Sequence, residues 1–158
     1  FNDARARQAL ALLFDQREIL DAVAGDKVPT RPCWSFTVCD GPFSTEAGAE
    51  PFRQPNLARA RALMGEAGYR GERLVMVATP QLPVIAQMAL VVEQRLRQIG
   101  VNVDVEMMDF SAMFPRIQTA NKPIGQGGYH LFPYYAVGSS WYHPLTNLSL
   151  DVSCPASS

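Results

Sequence analysis

Three stretches follow one another without interruption: RLVMVATP at 73–80, PVIAQMALVVEQRLRQIG at 83–100 and VNVDVEMMD at 101–109. The first is a short apolar run ending in a Thr–Pro turn, the pattern of a buried strand. The second repeats apolar residues at helical spacing and closes at Gly100, as an amphipathic helix does. The third alternates, with Val101, Val103 and Val105 on one face and Asn102, Asp104 and Glu106 on the other, which describes a half-exposed strand. Strand–helix–strand order requires a crossover, and crossovers join parallel strands with a right-handed turn. The chain is therefore expected to be α/β, with a mixed, mostly parallel sheet flanked by helices.

The remaining stretches fit around that unit. DARARQALALLFDQREILDAV at 3–23 reads as two helices or one bent helix, with Asp3 and Asp15 as N-caps and Gly25 as the stop. Residues 26–55 carry prolines at 29, 32, 42, 51 and 55 and form a long irregular excursion. Loops of such length inside a domain are functional or are linkers. Asn56 opens a helix that turns Leu57, Ala60, Leu63 and Met64 inward and stops at Gly68. A short helix interrupted by Pro115 is expected over Phe110–Thr119, then a Gly-rich loop over Lys122–Gly128 and a third strand over 129–137. Pro133 sits inside that strand and cannot donate to a ladder, so the strand belongs at an edge, at a bulge, or is broken there.

A chain of 158 residues accommodates one domain with a real core. Its formal net charge of −1 provides no field for nucleic acid or an acidic membrane surface. The longest apolar run, Leu82 to Val92, is too short to span a bilayer. No signal peptide is visible, and a chain opening on Phe1 reads as a piece of a longer polypeptide. Cys33 and Cys39 share one loop and are near enough to close a small disulfide ring, with Cys154 left over; three unpaired thiols is the other reading. No Cys/His spacing makes a zinc site, and no GxSxG, HExxH or Ser/His/Asp grouping suggests a nucleophile. No catalytic, metal or cofactor site is expected.

The stretch PYYAVGSSWYHP at 133–144 is the candidate contact surface, with aromatic walls around a small floor and no formal charge. Trp141 and Tyr142 either stack on a ligand or meet another protein surface. Tyr134 and Tyr135 alternate across the expected strand, so at least one of them is expected in the core. Gly138–Ser139–Ser140 supplies a flexible hydrogen-bonding floor or a plain polar turn, with Ala136 and Val137 before it as further candidate ligand contacts. Trp34, between the two loop cysteines, either projects into a cleft or pins the loop. Met107 and Met108 read as strand core.

Three segments together resemble one family. The opening FNDARARQALALLFDQREILDAV is similar to its segment of Asp–x–Arg–x–Arg–x–Ala ahead of an Asp-Arg-x-x-Ile helix. NLARARALMGEAGYRGERL matches a second segment at Ala60, Leu63, Met64, Glu66, Ala67, Gly68, Tyr69 and Gly71. VVEQRLRQIGVNVDVEMMDF matches a third at Gln94, Leu96, Ile99, Gly100, Val101 and Val103. In this order and spacing, over about residues 1–144, the chain resembles the extracellular solute-binding proteins of ABC importers, family 5, the peptide/opine/nickel class.

The resemblance implies one lobe of a periplasmic-binding-protein-like fold of type II. Residues 1–158 would be a single truncated domain, the C-terminal lobe, with the N-terminal lobe missing. The implied function is capture of a small solute, peptide-like, opine, sugar or metal chelate, in a cleft between two lobes and its delivery to an ABC permease. Implied partners are that solute, the permease and the missing lobe, with no nucleic acid and no membrane span. The implied location is periplasmic or extracellular, with or without a lipid anchor on the full-length protein. Ligands in open α/β sheets sit beyond the carboxyl ends of strands, here Thr79–Pro80–Gln81, Met108–Asp109–Phe110 and Ala136–Trp141. Two alternatives stand beside it, an α/β enzyme using Asp109 and His143 as acid and base, and a sensor on the same fold.

One departure bears on the ligand. Peptide-binding members carry Trp–x–x–Asp in this loop, followed four residues after the Asp by Pro, and that aspartate pairs with the peptide's terminal ammonium. With Pro144 as the proline, Ser140 stands at the aspartate position and Val137 at the tryptophan position. A hydrogen bond to a charged group is worth ~1.5–3 kcal/mol, or roughly ten- to a hundredfold in affinity. A ligand held by its N-terminus through this loop is therefore not expected, unless Asp109 or Asp40 supplies the acid.

Overall fold

Carboxylate and amide caps set where each early helix begins. Asp3 Oδ1 accepts from the Arg5 N–H at 2.7 Å and opens α1 (Ala4–Ala11); Asp15 Oδ1 accepts from the Arg17 N–H at 2.8 Å and opens α2 (Gln16–Ala24). The computed structural model describes residues 3–25, 28–119 and 122–146, with Thr146 described by its backbone alone. Of the two readings of 3–23, two helices is correct, because the Asp15 cap restarts the helix after the turn at Leu12–Phe14. Asn56 Oδ1 accepts from Arg59 N–H at 2.9 Å and starts α3 (Leu57–Glu66). Asn56→Ala is expected to cost about 1 kcal/mol, the usual worth of an N-cap, read as a shift in urea midpoint at constant m-value.

The central unit is β1 (Leu74–Ala78), α4 (Pro83–Gln98) and β2 (Val103–Met107). β1 and β2 pair in parallel with Leu74 opposite Val103 and Ala78 opposite Met107. Proline at the start of α4 is accommodated because its missing N–H is unpaired there in any helix. At the other end Gly100, at φ 83°, takes the left-handed conformation that lets Val101 N–H return to Leu96 C=O at 3.0 Å. The core lies on one face of the sheet, where Leu74, Met76 and Ala78 meet Leu13, Ala60, Leu63, Ile85, Ala89 and Leu96. Arg95 Nε donates to Glu18 Oε2 at 3.0 Å and ties α4 to α2.

The expected third strand over 129–137 is not present as a strand. Leu131 forms a single parallel bridge with Met76, on the side of β1 away from β2. Leu131 N–H donates to Val75 C=O at 3.2 Å, and Leu131 C=O accepts from Val77 N–H at 3.1 Å. The next rung of a parallel ladder would need an N–H at residue 133, and Pro133 has none. Pairing stops there, so Tyr134 and Tyr135 do not alternate across a sheet. Both are exposed, 49% and 45%, which corrects the expectation that one would be core.

α5 (Phe110–Ile117) runs through Pro115 without breaking. Ser111, whose carbonyl loses its partner there, is exposed and open to solvent. Met107 is half exposed, 46%, at the end of β2, so the strand-core reading of Met107–Met108 holds only for Met108, which packs against the core. The loop from residue 28 to 55 is irregular apart from a 3-10 turn at Glu50–Phe52. Cys33 and Cys39 form a disulfide within it, while Cys154 lies outside the described residues.

Candidate functional site

Two groups of residues stand beyond the carboxyl ends of the strands. At the first, Gln81 follows β1 with its N–H donating to Thr79 Oγ1 at 3.3 Å. Its side-chain Oε1 accepts from Phe110 N–H at 2.7 Å, and its Nε2 donates to Asp109 Oδ1 at 3.5 Å. Asp109 occupies the cap position of α5 but makes no side-chain cap bond. Gln81 satisfies that first helical N–H instead, which leaves the Asp109 carboxylate exposed at the end of β2. Nothing in the sequence pattern marks Gln81 for this role, since the contact spans a whole crossover.

The second group is the uncharged stretch. Val137 precedes a 3-10 turn over Gly138–Trp141, closed by Ser140 N–H to Val137 C=O at 2.9 Å. The turn leans on the disulfide loop: Trp141 C=O accepts from Val38 N–H at 3.1 Å. Gly138 lies where a Cβ would come within 3.4 Å of Val38 Cγ2, and Gly41 where one would come within 3.9 Å of the Tyr142 ring. The Phe43 and His143 rings meet edge-on at 4.4 Å, and His143 Nδ1 accepts from Leu145 N–H at 3.1 Å. Val38, Gly41 and Phe43 thus support the stretch. The cysteine pair was the available signal, because a ring in a long loop fixes its neighbours.

The loop is in turn anchored to the helices. Gln16 at the start of α2 donates from Nε2 to Cys33 C=O at 2.8 Å and accepts from Cys33 N–H at 2.7 Å. Thr37, buried, donates from Oγ1 to Phe43 C=O at 2.9 Å. Trp34 is not grouped with the stretch. It lines a cavity of about 600 Å³ with Phe14, Phe36 and Phe52, and Arg53 stands 5.9 Å over its ring.

Tyr134, Val137 and Tyr142 are exposed, Val137 at 68% and Tyr142 at 51%, while Ala136, Ser140 and Trp141 are half-buried. Gly138 and Ser139 are also exposed. Asp109 is held from Gln81 and His143 from Phe43 and Leu145, so the two residues of the acid–base alternative are positioned by different neighbours. Asp40, the other acid considered, pairs with Arg31 and adopts a positive φ of 65°. Among the described residues there is no group of three or more His, Cys, Asp or Glu side chains able to hold a metal, and no helix long and apolar enough to cross a membrane.

The profile of the bacterial extracellular solute-binding proteins, family 5 Middle, matches residues 1–158. The probable peptide ABC transporter periplasmic-binding protein y4tO of Sinorhizobium fredii is 29% identical over 133 residues, 84% of this chain and 25% of its own length. The substrate-binding protein CtaP of Listeria monocytogenes superposes with a TM-score of 0.65 at 23% identity, over 82% of this chain and 25% of that one. MoaA of A. tumefaciens R10, solved with mannopinic acid, gives 0.61 at 26% identity, over 75% and 23%. The chain thus spans about a quarter of the length of the curated relative it matches. It belongs to the bacterial extracellular solute-binding proteins, family 5, and has their periplasmic-binding-protein type II fold.

Proposed function

We propose that residues 1–158 are the C-terminal lobe of an extracellular or periplasmic receptor that captures a small solute and delivers it to an ABC permease. The observation that carries this reading is the uncharged aromatic surface of Tyr134, Val137 and Tyr142, left exposed beyond the carboxyl edge of a parallel sheet. Exposed apolar and aromatic side chains of this kind mark a binding surface, and a second lobe closing over them would bury both them and the solute. Family membership supports the same assignment and points to binding and transport in place of catalysis. In this reading Tyr134, Ala136–Tyr142 and Asp109 line the cleft. Trp34 lies at the margin of the loop that supports it.

The solute is not a peptide gripped by its terminal ammonium through this loop. Ser140 provides a hydroxyl where the family's peptide binders place a carboxylate, and no side chain from 134 to 142 carries a formal charge. The relatives' own ligands, a peptide by name for y4tO and mannopinic acid for MoaA, set the range of compounds to try. The test is calorimetry on the full-length receptor with opines and with di- and tripeptides, free and N-acetylated. Trp141→Ala is expected to weaken whichever solute binds by roughly tenfold or more, and acetylation is expected to change peptide affinity little. Micromolar binding that requires a free N-terminus would overturn the ligand assignment, and unchanged affinity in Trp141→Ala would overturn the site.

A further inference from the structure

We propose that His130 is a positioning residue that latches the candidate solute-binding stretch to the central strand only while its imidazole is neutral, so that the stretch loosens when the ring takes up a proton. The inference rests on the reading of 134–142 as cleft lining, but its geometry is independent of any ligand.

Val75 is fully buried in β1, and its N–H points to the side of the strand away from β2. No backbone carbonyl meets it there. The acceptor is His130 Nδ1, at 2.9 Å. His130 N–H and Leu131 N–H both donate to Val75 C=O, at 2.9 and 3.2 Å, and Val77 N–H donates to Leu131 C=O at 3.1 Å. These four bonds join the segment to the sheet, and Pro133 prevents the next rung. The aromatic stretch begins one residue later. An imidazole lone pair therefore completes the last ordered attachment before it.

Protonation changes the sign of that contact. A protonated Nδ1 is a donor, and two N–H groups would then face each other, leaving the donor of the fully buried Val75 unmet, which is costly. The native state accordingly resists the proton. Desolvation lowers the His130 pKa below its ordinary 6.5. The attachment is intact above about pH 6.5 and is lost as pH falls through the lowered value.

A cleft of about 430 Å³ is lined by His130 with Asp3, Tyr69, Glu72 and Arg73. Asp3 is held at about 2 by the Arg5 guanidinium, and Glu72 is lowered by the Arg70 N–H. Arg73 is raised by Asp104, and Arg116 of α5 donates to Gly128 C=O at 3.3 Å.

Amide hydrogen exchange on the full-length receptor, corrected for intrinsic rate, tests the latch in peptides covering 74–78 and 129–132. Wild type is expected to lose roughly tenfold or more of its protection there between pH 8 and 5. His130→Asn places a non-titrating carbonyl oxygen near the Nδ1 position and should keep protection across the range, whereas His130→Ala should lack it throughout. Flat protection in wild type, or an Asn variant that loses protection as wild type does, would overturn the proposal. Because no solute enters the measurement, failure of the cleft assignment would leave this result standing, and the reverse.

Discussion

Met76→Ala is expected to lower the unfolding free energy by about 3 kcal/mol, within the 2–5 kcal/mol range for a buried methionine truncated to alanine. Met76 is fully buried in β1, flanked by Val105 of β2 on one side and by the Leu131 bridge on the other. Its side chain shares the core face with Leu74 and Ala78, against helices α1, α3 and α4. The strand is fixed on both edges by hydrogen bonds, so its backbone cannot move in to close the space. Urea unfolding should show a lower midpoint with the same m-value. Met107→Ala supplies the control: this methionine is half exposed at the end of β2, and its change should stay within about 0.5 kcal/mol. A loss below 1 kcal/mol in Met76→Ala would show that the core is not organised around β1.

The second large effect concerns the disulfide. Cys33 and Cys39 lie six positions apart and close a short ring. Chain-entropy arithmetic for a ring of that size puts its contribution at about 2 kcal/mol. Replacing both cysteines by serine should lower stability by that amount. It should also act locally, because Val38 inside the ring donates to Trp141 C=O and its methyl packs on Gly138. Exchange of the Val38 amide and of residues 138–143 should rise in the variant, and in wild type treated with a reductant. Equal stability with unchanged exchange would mean that Gln16 and Thr37 hold the loop without the covalent link.

How much of this was legible beforehand depends on the range of the interaction involved. The caps at Asp3, Asp15 and Asn56, the stop at Gly100 and the β1–α4–β2 crossover are local patterns of side-chain periodicity and hydrogen-bonding chemistry. Each can be read from neighbouring residues, and each is found in the fold. The family resemblance, carried by Glu66-Ala67-Gly68-Tyr69 and Ile99-Gly100-Val101, is legible for the same reason, and the whole-chain profile match agrees with it.

The third strand shows where local reading stops. YHLFPYYAV has strand composition, and Pro133 was visible as a difficulty. Only the register against β1 reveals that residue 133 would have to donate the next bond. That register also turns Tyr134 and Tyr135 out to solvent and makes the His130 imidazole the acceptor for a buried N–H.

The candidate site divides in the same way. Its uncharged aromatic character, and the serine at position 140, belong to the sequence and need no coordinates. Tertiary structure alone decided that Gln81 caps α5 in place of Asp109, that Trp34 faces a cavity beside Phe14 and Phe52, and that the disulfide loop carries the Gly138–Trp141 turn. The physical reason is common to all three. Composition and periodicity record what each residue prefers near its neighbours, whereas a hydrogen bond across 29 positions, as from Phe110 to Gln81, is settled by which groups packing brings within 3 Å.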